Sequence, residues 1–352
     1  MRIEITTLLQ FTANPTESED GSYPLSLSKA RAMVMGERPG VSSGGKRLSD
    51  NRKWLKYILL ISLLSLSVWY VVSELLENID WLRAELESPD QRFWIGCILV
   101  LIPYVIYPMV WSQILRGCGA EMPHGRAVSI WWTTNLAKYI PGKVWFVTGR
   151  AWVARRWGTR LVIESFAWEF TIGISSALIA GTVLLLHDGS PVIWGRIVLL
   201  LAIASLLPLV SPELTQRLIR HPIHWFGGGD QPSEISMSRS RYLGALLLMT
   251  SNWFVWGFAL QLICAGIGLD VPYLLLVSSY SLAWGMGYAT LVTPAGLGVR
   301  EGGLTFLLAS STVAGTGVLI AILSRSVSLV AELGLFGIGL LTGGLTAGEE
   351  EE

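Results

Sequence analysis

The chain has 352 residues, 51% hydrophobic and only 15% charged, with 16 Trp and a mean hydropathy of +0.50. Soluble domains carry about 25% charged residues, so a soluble globular protein is excluded, as is a chain disordered over most of its length. The 26 basic residues are balanced by 26 acidic ones, which leaves no cationic footprint for nucleic acid, and three scattered Cys build no disulfide framework. An all-α, polytopic integral membrane bundle remains.

Residues 1–50 are polar, carry Pro15, Pro24 and Pro39 and lack the apolar core of a signal peptide, so they read as a disordered tail. The membrane domain is placed at 54–347, and 348–352 form an acidic tail. A spanning helix needs about 20 apolar residues at 1.5 Å each. Six runs qualify: Tyr57 to Ser73, Phe93 to Leu115, Phe170 to Leu186, Val192 to Val210, Tyr242 to Leu269 and Val271 to Thr290. Two further stretches are irregular, Ala127 to Trp157 and Gly302 to Gly344. About eight membrane segments are expected, two of them interrupted by Pro and Gly or re-entrant.

Orientation follows the distribution of Lys and Arg. Lys46, Arg47, Arg52, Lys53 and Lys56 precede the first run, whereas the loop from Glu74 to Arg92 holds six carboxylates and two Arg. The N-terminus is therefore expected in the cytoplasm, with the protein in the cell membrane. Residues 116–160, with eight Lys and Arg against Glu121 alone, begin and end on that side. Residues 211–241 read as a cytoplasmic linker between two halves, with Gly227-Gly228-Gly229 at its centre and His221 and His224 in a solvated loop rather than a metal site.

In Asn135-Leu-Ala-Lys-Tyr-Ile-Pro-Gly-Lys143, Pro141 ends one helix near Ile140 and starts another. The second helix's N-terminus at Gly142 suits an anion, and Lys143 and Arg150, seven apart, add cations on one face. A lipid phosphate fits this arrangement; a cytoplasmic surface helix with Trp145, Trp152 and Trp157 in the interface fits it also. In Thr293-Pro-Ala-Gly-Leu-Gly-Val-Arg-Glu301, Pro294, Gly296 and Gly298 permit irregular backbone, which membrane depth tolerates only where protein buries it or it lines a cavity. The alternative is an interfacial Arg300-Glu301 pair capping a spanning helix. Paired breaks in two halves point to a midplane binding site in a transporter.

Glu169, Arg325 and Glu332 fall within long helices, where an unpaired charge costs about 2.5–3.5 kcal/mol. They must face protein or water. Glu169 or Glu332 is expected to answer Arg325 or Arg300 across helices, and Gly173, Ala177, Ala180 and Gly181 after Glu169 form a stripe for close helix approach. Asn252 and Gln261 are expected to make interhelical hydrogen bonds. No metal-ligand cluster, nucleotide loop or serine-hydrolase elbow occurs in the sequence, so no metal or cofactor is expected.

Asn135, Tyr139-Ile-Pro-Gly142, Gly149-Arg150, Ala154 to Gly158, Ser165 and Glu169 resemble the first signature of the lysylphosphatidylglycerol synthase transmembrane family. Thr293 to Glu301 resembles its second, and Ser324-Arg325 with Ala331-Glu332 the motif of its last long helix. The resemblance implies a flippase-like domain that moves an anionic or modified phospholipid, or a polyprenyl-linked lipid, across the bilayer. It implies headgroup contacts at Asn135, Lys138, Tyr139, Pro141, Gly142, Lys143, Arg150, Thr293, Pro294, Gly296, Gly298 and Arg300, and rearranging ion pairs at Glu169, Glu301, Arg325 and Glu332. The family's aminoacyl-transfer domain does not follow in this sequence, so no synthase activity is expected. The rival readings are an integral-membrane enzyme with Glu169 or Glu301 as general base, and a non-transporting subunit of an envelope lipid or glycan pathway. Expected partners are a membrane lipid and either a second copy of the chain or a lipid or glycan synthesis enzyme.

Overall fold

The computed structural model describes residues 89–139, 144–183, 192–225, 237–290, 293–309, 312 and 315–345. The expected tails, the run from Tyr57 to Ser73, the Pro141-Gly142-Lys143 turn and the Gly227-Gly228-Gly229 stretch lie outside the described residues. Every regular element described is helical, with no strand among the described residues.

Helix α1 (Gln91–Leu99) continues into α2 (Leu101–Gly117) through a joint at Val100. Pro103 causes the joint, because it has no N–H to offer the Leu99 carbonyl. Pro108 lies inside α2 and leaves the Tyr104 carbonyl without its helical donor; the Trp132 indole N–H takes that place at 2.9 Å. Next come α3 (His124–Asn135), a 3-10 turn at Leu136–Tyr139, α4 (Val144–Val153), a second 3-10 turn at Arg155–Trp157 and α5 (Thr159–Gly181). Then follow α6 (Val192–Ala204), α7 (Leu207–Val210), α8 (Pro212–Trp225), α9 (Arg239–Gly266) and α10 (Tyr273–Ala289). A 3-10 turn at Pro294–Gly296, α11 (Val299–Leu308) and α12 (Thr316–Leu341) complete the order.

Helix α9 is the hub, packing on α1, α2, α5 and α10, while α12 lies against α3 and α11. Close approach is carried by small residues. A Cβ on Gly96 of α1 would stand 2.6 Å from the Ala259 carbonyl oxygen of α9. The small-residue stripe of α5 receives α10 as expected, with Gly173 under the Trp284 ring and Ala177 beside Gly285. Ile98, Leu200, Leu247, Phe306 and Val330 are exposed, whereas Arg150, Glu169 and Glu332 are buried. That distribution, apolar outside and charged within, suits hydrocarbon as the surrounding solvent.

Among the described residues four helical units are long and apolar enough to cross a membrane: Gln91–Gly117, Thr159–Gly181, Arg239–Gly266 and Thr316–Leu341. They become five if Gly195–Val210 and Pro212–Leu218, bent by 106°, count as one. The expected count of about eight is not reached among the described residues: the run from Tyr57 to Ser73 lies outside them, α10 has 17 residues, and Ala127 to Trp157 is divided into short helices. Helices α3, α4 and α11 have 12, 10 and 10 residues, at most about 18 Å of rise. The expected solvated loop at His221 and His224 is also corrected. Both lie in α8, where Leu214 and Leu218 supply helical apolar spacing and Glu213 favours the positive end of the helix dipole.

Candidate functional site

Two groups of charge stand inside the bundle. The first is built on Arg150 of α4 and Glu169 of α5. Arg150 Nη1 lies 2.6 Å from Glu169 Oε2, and the Trp131 indole N–H of α3 donates to Glu169 Oε1 at 3.0 Å. The guanidinium lies over the rings of Phe146 and Trp111, at 4.5 and 4.7 Å, and is 1% exposed. A planar cation stacked this way keeps its charge away from water while satisfying a carboxylate. The Trp111 indole is itself held by Ser165 at 3.1 Å. Arg150 therefore answers Glu169 inside the bundle, and the expected partner of Glu169 is corrected from Arg325 or Arg300 to Arg150.

The second group gathers on Glu332 of α12. Its Oε1 accepts from the Tyr104 hydroxyl at 2.7 Å and from Lys138 Nζ at 2.5 Å, and its Oε2 accepts from the Tyr139 hydroxyl at 3.0 Å. Lys138 and Tyr139 come from the 3-10 turn that closes the first interrupted segment. The chain turns there because the helix stops at Asn135, which is buried. Here too the expected partner changes, from Arg325 or Arg300 to Lys138. Arg325 and Glu332 both lie seven residues apart on α12 with buried Ser328 between them, as their spacing requires. They nevertheless bind different groups.

Arg325 reaches the second interrupted segment. Its Nη1 donates to the Ala295 carbonyl at 3.4 Å, its Nε lies 3.9 Å from Glu301 Oε1, and its guanidinium sits over the Tyr139 ring at 4.9 Å. The two breaks in the chain thus meet at one guanidinium. Irregular backbone makes the meeting possible: Ala295, Gly296 and Gly298 have φ of 48°, 73° and 79°. A Cβ on Gly296 would stand 2.8 Å from Gly287 Cα in α10. Gly298 is the N-cap of α11, and its N–H is taken by the Glu301 carboxylate at 2.7 Å, half of a capping box. Thr293 is buried, its hydroxyl 3.2 Å from that of Thr290. Pro294 opens the 3-10 turn.

Arg300 binds neither Glu169 nor Glu332. Its guanidinium donates to the Tyr280 hydroxyl of α10 and lies 4.8 Å from that ring's centroid. Pro141, Gly142 and Lys143 lie outside the described residues. The structure brings Lys138, Tyr139, Arg300, Glu301, Arg325 and Glu332 into one region and leaves Arg150 and Glu169 in another. Aromatic rings stand between the two, with Tyr107 stacked on Trp131 at 5.9 Å and on Trp284 at 6.3 Å.

Tyr104, Trp131 and Tyr280 escaped the sequence reading, although they bind Glu332, Glu169 and Arg300. Polar aromatics in apolar runs carry a signal, since a buried Tyr or Trp needs a partner for its O–H or N–H. Asn252 overturns an expectation in the other direction: it is fully buried and neither amide atom has a hydrogen-bond partner among the described residues. No metal-binding group of three or more His, Cys, Asp or Glu occurs among the described residues. At the end of α2, burial pushes the Cys118 thiol up to about 12, which makes it chemically inert at neutral pH.

No curated protein matches the chain. The family described as lysylphosphatidylglycerol synthase TM region matches residues 53–335, a stretch that contains both interrupted segments and every charge of the two groups. Its helices make it a multi-pass membrane protein, and the match connects it with lipid-related processes. Over more than half its length, through the Lys138–Glu332 and Arg325–Glu301 groups that join its two breaks, the chain belongs to the lysylphosphatidylglycerol synthase TM region family.

Proposed function

We propose that this protein is a lipid translocator of the plasma membrane, with a cytoplasmic N-terminus, that moves a headgroup bearing a phosphate through the bundle while the acyl or prenyl tails stay in lipid. The meeting of the two interrupted segments at Arg325, between Tyr139 and Ala295, carries this reading. Broken helices at membrane depth supply free backbone groups and cations where a continuous helix supplies neither.

Among the described residues of the two groups, Lys138, Arg150, Arg300 and Arg325 face three carboxylates, Glu169, Glu301 and Glu332. Arg300 is the cation held by a neutral phenol. An incoming phosphodiester, with one negative charge, balances that set and displaces no carboxylate. Glu301 and Glu332 act as the exchangeable partners of the cations, and no chemical step on the lipid is part of the reading. The substrate is a membrane lipid, and no cofactor is invoked.

The test is a proteoliposome assay with purified protein and fluorescent anionic, zwitterionic and polyprenyl-phosphate lipids. Flux of a phosphate-bearing lipid that falls about tenfold or more in Arg300→Ala, as loss of a charged hydrogen bond predicts, supports the proposal. A folded wild-type protein that moves none of these lipids refutes it.

A further inference from the structure

Among the described residues four uncharged buried side chains have polar atoms without partners, Ser279 on α10 and, on α2 and α9, Tyr107, Asn252 and Trp256. The Tyr107 hydroxyl, both amide atoms of Asn252 and the Trp256 indole nitrogen are buried with no hydrogen bond among the described residues. Asn252 is 0% exposed, Trp256 2% and Tyr107 8%. The register of α2 against α9 puts them within about one helical turn of one another. Gly96 lies on Ala259 and Ile263, and Gly117 on Met237 and Arg241, so the two helices run antiparallel. The Tyr104 ring meets Trp256 at 6.0 Å. One turn onward along α2 is Tyr107, and one turn back along α9 is Asn252. Tyr107 also comes close to the Trp256 nitrogen without a bond of normal geometry.

An unpaired polar group in hydrocarbon is costly, and three such residues close together multiply that cost. Their chemistry defines what satisfies them. The amide and the phenol each donate and accept, the indole donates, and none carries charge. An ammonium group would need a carboxylate, but Glu169 is taken by Arg150, Glu332 by Lys138, and Glu301 by the Gly298 N–H and Arg325. An alkyl chain would leave every one of these atoms unpaired. Hydroxyl groups satisfy them all. Flat rings surround the position, with Tyr107 stacked between Trp131 and Trp284 and Trp256 against Tyr280 at 4.7 Å. The same Tyr280 binds Arg300, so a single ring separates the hydroxyl-binding atoms from the cation assigned to phosphate.

We infer that Tyr107, Asn252 and Trp256 form a subsite for a sugar or cyclitol carried on the phosphodiester of the transported lipid. The inference deepens the translocator reading and rests on it for the position of the phosphate at Arg300.

Two monoanionic phosphodiester lipids separate the possibilities, phosphatidylinositol with a ring of hydroxyls and phosphatidylethanol with none. Binding to the purified full chain is measured by native mass spectrometry, and flux by proteoliposomes. Wild type binds phosphatidylinositol at least about fivefold better than phosphatidylethanol, the scale of one or two neutral hydrogen bonds. Asn252→Leu and Tyr107→Phe bring the ratio close to one, with Trp256→Phe as a third variant should either fail to fold. Equal binding by the wild type, or a preference retained in folded variants, overturns the subsite and assigns those atoms to ordered water. A preference that depends on Asn252, with no flux of either lipid, upholds the subsite and removes translocation. Flux that depends on Arg300 without any preference removes the subsite alone.

Discussion

Lys138 and Glu332 stand 194 positions apart in the chain and 2.5 Å apart in the fold. Their pairing ties the turn that ends the first interrupted segment to the last long helix, on which Arg325 holds the second. One helix therefore registers the state of both breaks. Any displacement of α12 along its axis has to disturb both contacts at once.

Glu332 is 4% exposed, so removing its cation leaves a charge without compensation. Lys138→Met is expected to lower stability by about 3 kcal/mol. The double variant Lys138→Met/Glu332→Gln should recover part of that loss, because the orphaned charge is removed. Unfolding in mixed detergent, analysed as a double-mutant cycle, measures the coupling; additive losses would show the pair to be energetically silent.

At Arg150 the stacking matters as well as the charge. Lys keeps the charge but has no plane to lay on Phe146 and Trp111. Arg150→Lys is expected to destabilise the protein by about 2 kcal/mol, within the range for a disrupted buried network. A thermal melt in detergent checks this, and a melting temperature equal to that of wild type would mean that Coulomb attraction to Glu169 is sufficient.

The Gly296 position combines a φ of 73° with backbone contact to Gly287. Gly296→Ala should cost about 2 kcal/mol from strain and crowding. Gly302, inside α11, is the control: nothing lies within 4 Å of the Cβ it lacks. Gly302→Ala should be neutral or stabilise by up to about 1 kcal/mol through helix propensity. Equal melting temperatures for the two variants would refute the close-approach argument.

Trp132 substitutes for the donor that Pro108 lacks. Trp132→Phe strands the Tyr104 carbonyl and should cost about 1–3 kcal/mol. Adding Pro108→Ala supplies a backbone N–H in the helical position and should return about 1 kcal/mol of it. The rescue is read as the difference in unfolding free energy between the single and double variants, and no rescue would mean that the added backbone N–H does not reach the Tyr104 carbonyl.

The proposed transport can be tested through Tyr280. Removal of its hydroxyl leaves Arg300 with the ring alone. Tyr280→Phe should change phosphate-lipid flux about threefold or more while Arg300→Ala reduces it about tenfold, in line with a neutral partner and a charged one. Identical flux in wild type and both variants, measured in proteoliposomes, would place the phosphate elsewhere.

Much of this molecule was legible from the chain. The apolar runs and the few charges within them fix a helical membrane protein, because hydrocarbon admits only internally bonded backbone. Pro141, just after Leu136–Tyr139, and Pro294 mark the breaks because proline lacks the helical N–H, Gly296 and Gly298 permit the positive φ that follows, and the spacing of Arg325 and Glu332 sets them on one face of α12. Only the tertiary structure decided the partners. Sequence spacing reports what shares one helix face, whereas Lys138 meets Glu332, and Arg150 meets Glu169, through the packing of separate helices. Arg300 took a phenol, and Asn252 no partner among the described residues. Those outcomes depend on how α2, α9 and α10 lie against one another, and the periodicity of each helix taken alone carries no record of it.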